Sequence, residues 1–145
     1  MRPIYAALLG GLLALASPAA AEQIVHPEKG SALRAAVLDG ARPIFQSETE
    51  GPIEMVVKQI NVDGDWAFGD VFLQRPGGRE IDWSKTKFGE ANSQGAFDPG
   101  GSFFLVHLVG GRWNIVEYAI GPTDIAWSEW GTNHNLPEAL FDWPH

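Results

Sequence analysis

The 145-residue chain contains no cysteine. That removes disulfides, zinc–thiolate and iron–sulfur ligation, thiol nucleophiles and any acceptor for a lipid anchor. Cations are scarce as well: 10 Lys and Arg stand against 18 Asp and Glu, a formal net charge of −8. Such a surface repels phosphate backbones and anionic lipid, so nucleic acid and membrane surfaces are poor partners. Solubility is the simplest reading of the charge. Catalytic signatures are missing too. There is no Gly-x-Ser-x-Gly elbow, P-loop, dinucleotide-binding glycine pattern or His-Glu-x-x-His. The glycine pairs Gly77-Gly78 and Gly100-Gly101 follow Pro76 and Pro99, as turns do, and lack the strand-to-helix context of a phosphate cradle.

One long apolar run exists, at the N-terminus. Met1-Arg2-Pro3 supplies a short positive region, Ile4–Ala16 is apolar or small, and Ala19-Ala20-Ala21 follows Ser17-Pro18. This is the layout of a cleavable signal peptide, cut after Ala21. The run is shorter than the roughly 20 residues a spanning helix needs. The expectation is a periplasmic or secreted protein with no membrane span after cleavage. Residues 22–145 then form a single domain, long enough to bury a core without staples.

In that domain a helix opens at His26-Pro27 or at Ser31. Leu33, Ala36, Val37, Gly40, Ala41 and Ile44 make one amphipathic stripe. Pro43 is expected to stop the helix, leaving Ile44–Pro52 as a connector. Asp63-Gly64 between two apolar-rich runs predicts a hairpin from Glu54 to Leu73. In the expected register Val62 faces Asp65 and Asn61 faces Trp66. One face is then small and β-branched; the other carries Trp66, Phe68, Asp70 and Phe72. Residues 74–101 read as a long loop, with an edge strand near Glu80–Ser84 and anchors at Ile81, Trp83 and Phe88. Gly110-Gly111 turns a second hairpin. Its expected pairs are His107–Asn114, Leu105–Val116 and Phe103–Tyr118 on one face, with Leu108–Trp113, Val106–Ile115 and Phe104–Glu117 on the other. The tail places Trp127 and Trp130 before a short helical turn at 136–141.

Helix, hairpin, long loop, hairpin and short tail define an α+β domain, an N-terminal helix packed on a curved antiparallel sheet of four to five strands. This order resembles the cystatin-like and NTF2-like cone folds. The likeness rests on the Leu33–Ala41 helix, the turns at Asp63-Gly64 and Gly110-Gly111, and the phrase Gly111-Arg112-Trp113-Asn114-Ile115-Val116. NTF2-like proteins usually carry more N-terminal helix, which favours the cystatin-like variant. In the enzymes of this class the resemblance implies proton transfer by an acid inside the cone.

Candidate site residues follow from the two-faced hairpins. Trp66, Phe68, Phe72, Asp70, His107, Asn114, Trp127 and Trp130 form the candidate ligand-binding set, as a platform for a ligand or glycan. For Trp66 and the tail tryptophans the plainer reading is core packing and clamping of the sheet. Asp70, with His107 and Tyr118, is the weaker catalytic set: burial among rings raises a carboxyl pKa toward that of a general base. The plainer readings are a solvated or hydrogen-bonded Asp70 and a His107 bonded to Asn114. No metal site is expected, because Asp124, Glu129 and His134 share no face. No cofactor is expected, and the partner is an unknown small molecule or envelope protein. A non-enzymatic binding domain is thus the first expectation, an Asp70-based isomerase or dehydratase the second, and an accessory envelope protein the third.

Overall fold

The computed structural model describes residues 23–143; the expected leader and its cleavage site lie outside them. Helix α1 runs from Ala32 to Glu48. It starts at the second of the two offered positions, where the Ser31 hydroxyl accepts the Arg34 N–H at 3.3 Å.

The expected stop at Pro43 is overturned, and Ile44–Glu48 is helix rather than connector. An interior proline forfeits a hydrogen bond and crowds a carbonyl, at about 3 kcal/mol. Opposing it, Phe45 is wholly buried and meets Phe104 and Tyr118 edge-on at 6.0 and 6.4 Å. Burial of such a ring contributes about 1.5–3 kcal/mol. The C-terminus is also closed: the Thr49 hydroxyl donates to Phe45 O at 2.7 Å, and the Arg75 guanidinium donates to Thr49 O at 2.7 Å. The buried residues of α1 are Val37, Ala41 and Phe45, while Leu33 and Ala36 of the expected stripe stay exposed.

Strands β1 (Glu54–Asp63), β2 (Trp66–Gln74), β3 (Ser102–Val109) and β4 (Arg112–Ile120) form one antiparallel sheet in the order β1-β2-β3-β4. The sheet is not strongly curled. Among the described residues no fifth strand is added; Val25 makes an isolated bridge to Val62 at the β1 edge.

The first turn differs from expectation by a slide. Asp63 pairs with Trp66 and Asn61 with Phe68, so the central residues are Gly64 and Asp65. Only Gly64 adopts positive φ, +57°, which leaves Asp63 free to extend the strand. Because each residue's partner moves by two, side chains keep their expected faces as far as Gln59. A bulge at Lys58 then reverses the phase. Val57 and Met55 consequently join the main core, and Val56 is exposed.

The second turn has positive φ at both Gly110 and Gly111, and Leu108–Trp113, His107–Asn114 and Val106–Ile115 pair as expected. Past Val116 a bulge shifts the register: Leu105 meets Glu117 and Phe104 meets Tyr118. Tyr118 is therefore moved to the face of α1, and Glu117 to the face of His107.

Between α1 and the sheet lies the main core of Val37, Ala41, Phe45, Ile60, Val62, Ala67, Val71, Phe104 and Val106. Two glycines allow the close approach. A Cβ on Gly40 would stand 2.7 Å from Trp113 Cβ, and one on Gly69 would stand 2.2 Å from the Phe104 ring. Residues 74–101 make no strand at 80–84. They fold into a 3-10 turn, Trp83–Lys85, and the short helix α2, Gly89–Ser93. Ile81, Trp83 and Phe97 enter the main core, and Trp83, Phe88 and Phe97 pack on one another at 4.7–5.8 Å. Ring clustering, not strand pairing, orders this segment. The tail, with helix α3 (Trp130–Asn133) and a 3-10 turn at Glu138–Phe141, crosses the opposite face.

Candidate functional site

That opposite face carries the candidate residues. Strand alternation turns Phe68 and Asp70 of β2, and Phe103, Leu105 and His107 of β3, away from α1. A second core forms there: Phe68, Phe103, Leu105, Trp130 and Leu140, flanked by Trp66, Trp127, Leu136 and Phe141. Phe68 is wholly buried, with Phe141 at 5.0 Å and Trp143, Trp127 and Trp130 within 5.9–6.3 Å. The C-terminal strap thus covers the middle of the aromatic face.

The strap is fastened by a buried amide. Asn61 Nδ2 donates to Leu140 O at 2.8 Å and to Asp142 O at 2.7 Å, while Gln59 donates to Asn61 Oδ1. Gln59 is in turn 3.2 Å from His26 Nδ1. A polar residue in a core strand is tolerated when its donors and acceptor are all engaged, as here.

Asp70 lies beneath the strap's end. It pairs with Gln59 on one side and Phe103 on the other. Its exposure is 6 %, and its Oδ1 has no hydrogen-bond partner. Burial pushes its carboxyl pKa above the ordinary aspartate value; the Lys58 ammonium and the nearby Trp143 indole pull it back in part. The Lys58 ammonium itself is tied to Gly100 O.

A separate group forms at the turn end of the sheet. The Trp66 ring stacks on His107 at 3.9 Å, and His134 lies on it at 5.4 Å. His107 Nε2 is 3.1 Å from Asp65 Oδ2, and His134 Nε2 is 3.1 Å from Glu117 Oε1. Asn114, the cross-strand partner of His107, donates instead to Arg112 O at 2.9 Å.

Of the expected catalytic set, Asp70 and His107 share a face but sit at different places on it. Tyr118 is on the other side of the sheet, its hydroxyl donating to Glu48 Oε1 at 3.1 Å, and Glu48 also pairs with Lys87. The Glu48 hydrogen bond raises the Tyr118 pKa, while the Lys87 contact lowers that of Glu48. Among the described residues the titratable side chain acting on Asp70 is Lys58. Of the expected ligand-binding set, Phe68 and Trp130 are closed off in the second core, and Phe72 is half-buried at a cavity of about 150 Å³ with Ile81, Trp83 and Pro99. Trp127 alone among them lines the strap's outer depression, about 670 Å³, with Ile125, Leu136, Phe141 and Trp143. Among the described residues no group of three or more His, Asp or Glu could hold a metal.

The candidate set missed Asn61, Phe103, Phe141 and Trp143. Phe103 and Phe141 carried a signal in their aromaticity, but nothing local places Trp143 against Phe68 and Phe103.

Comparison with protein-family models, with curated proteins and with solved structures finds no match to this chain. The fold defines an α+β domain, one long helix on a four-stranded antiparallel sheet. Among the described residues no helix is long and apolar enough to cross a membrane.

Proposed function

We propose that this is an exported, non-enzymatic domain that binds an apolar or aromatic ligand on the outer side of the C-terminal strap that covers the aromatic sheet face. One observation carries the reading. Ile125, 63 % exposed, and Trp143, 38 % exposed, stand beside Trp127, Leu136 and Phe141 around an open depression of about 670 Å³. Depressions of that size and lining are where small ligands lodge. Export is supported by the Met1–Ala21 leader pattern. The helix preceding an antiparallel meander supports a cystatin-like arrangement rather than an NTF2-like one, because a single long helix contacts the sheet.

The test is a titration of the mature protein with aromatic and apolar probes, followed by tryptophan fluorescence. Saturable binding that Ile125→Asp weakens at least tenfold is expected. No saturable change with any probe up to millimolar concentration would sink the reading. N-terminal sequencing of protein recovered from the periplasm checks the leader; a mature start at Glu22 is expected.

Asp70 favours a second reading, a proton-transfer enzyme, since its buried carboxyl with a raised pKa is the form a general base takes. Against it stands the separation of Asp70 from Tyr118 across the sheet. An Asp70→Asn variant with unchanged turnover in a substrate screen would remove it.

A further inference from the structure

Trp143 rests among three other rings. It meets Phe68 at 5.9 Å and 90°, Phe103 at 6.4 Å and 81°, and Trp127 at 5.4 Å and 61°. Those three also support one another without it: Phe103 stacks on Trp127 at 4.0 Å and on Phe68 at 6.3 Å. We propose that Trp143 is an internal plug in a binding site walled by Phe68, Phe103 and Trp127 and ended by Asp70, and that this site takes a small aromatic amine when the plug withdraws. The proposal rests on the binding reading above and adds the class of ligand.

The polar end of the site is incompletely used. The Asp70 side chain is buried, yet Oδ1 is unpartnered. An indole has a single N–H and leaves acceptor capacity on a carboxylate unfilled, whereas an ammonium offers three donors. Glycine at 101 keeps side-chain bulk off the free oxygen: a Cβ there would sit 3.6 Å from Oδ1 and 3.3 Å from the Phe103 ring, so the room for an ammonium is what Trp143 vacates. Aromatic walls with a carboxylate at one end are the chemistry of ammonium recognition. The competing cation, Lys58, has its ammonium engaged by Gly100 O. The net charge of −8 also attracts cations rather than anions.

The plug can move without unfolding the strap. Asn61 fixes the backbone at Leu140 and Asp142, and Leu140 is fully buried. Trp143 lies past both anchors and is 38 % exposed, against 6 % for Trp130. Rotation at Asp142–Trp143 empties the site and leaves the second core standing.

Calorimetric titration with tryptamine, indole and indole-3-propionate tests this on full mature protein and on Trp143→Ala. Tryptamine is expected to bind Trp143→Ala at least tenfold tighter than the unsubstituted protein, and indole-3-propionate at least tenfold more weakly than tryptamine. Adding Asp70→Asn should cost tryptamine tenfold and leave indole within twofold. Equal tryptamine affinity with and without Trp143, or equal affinity of the ammonium and carboxylate probes for Trp143→Ala, overturns the proposal. Should Trp143→Ala not fold, the unsubstituted protein suffices: millimolar tryptamine must shift the Trp143 indole N–H resonance, and an unmoved resonance overturns it. Binding of probes that is insensitive to Trp143 and Asp70 defeats the plug alone, whereas absence of binding by every probe defeats the broader reading too.

Discussion

The indole of Trp66 and the imidazole of His107 lie face to face, their centroids 3.9 Å apart and their planes 8° from parallel. They are direct cross-strand partners on β2 and β3, and His134 covers Trp66 from the strap at 5.4 Å. Trp66 is thereby packed by two imidazoles and does not present an open platform for a sugar. A double-mutant cycle with Trp66→Ala and His107→Ala, read by urea denaturation, should give a coupling of about 0.5–1.5 kcal/mol. Strict additivity would show that the stack adds nothing beyond separate burial.

Gly69 is the tightest point of the sheet's main-core face. Its hydrogen is directed at Phe104, where a Cβ would lie 2.2–2.9 Å from three ring atoms. Phe104 is wholly buried and packed by Phe45, so it has nowhere to go. Gly69→Ala should therefore destabilise by about 1–3 kcal/mol, the usual cost of overpacking. Thermal unfolding checks this, and an unchanged midpoint would refute the packing described. Gly64→Ala is the contrasting case: nothing lies within 4 Å, but φ is +57°. It should cost about 1 kcal/mol through the backbone alone.

Asn61 should govern the strap more than the sheet. Asn61→Leu leaves the carbonyls of Leu140 and Asp142 without their donor, at a cost of about 1–3 kcal/mol. Hydrogen exchange is expected to quicken across 127–143 while β2 and β3 remain protected. Uniform acceleration over the whole sheet would contradict the separation of the two cores.

Asp70 and Glu48 should respond to acid in opposite senses. Burial raises the folded-state pKa of Asp70, so the folded chain holds this proton more tightly than the unfolded chain. Its contribution is fully favourable below the ordinary aspartate value and is lost as pH rises through the folded pKa. Asp70→Asn should therefore stabilise at pH 7, by about 1–3 kcal/mol for a buried group lacking a partner, with the gain shrinking as pH falls toward the ordinary value. Glu48 is held below its ordinary value by Lys87 first and then Tyr118. Glu48→Gln should cost stability at pH 7, and that cost should fade as pH falls through the folded pKa. Denaturation midpoints across pH 3–8 decide both, and a parallel drift of the two variants would contradict the assignments.

Much of the architecture was legible in short-range pattern. The two-faced first hairpin, the Gly110-Gly111 turn with its first three pairs, and the order of helix and strands can all be read along the chain. Asp70 was legible as an acid among rings because alternation alone puts it beside Phe68 and Phe72. The helix end was not legible. Pro43 is a strong local stop, and only the burial of Phe45 against Phe104 and Tyr118, with Arg75 closing the C-terminus, keeps α1 going.

The sequence by itself determined which residues alternate, where glycine permits a left-handed turn, and that no cysteine chemistry is present. It did so because periodicity and φ preference act over a few neighbouring residues. Tertiary structure decided the bulges at Lys58 and Val116, and with them the exchange of Val57, Met55, Glu117 and Tyr118 between faces. A bulge is set by how two covered faces pack at once, which no single strand encodes. It also decided that Trp143 packs on Phe68 and Phe103, on the face that carries Asp70, since a contact between the tail and the second strand exists only once Asn61 has fastened the strap across the sheet.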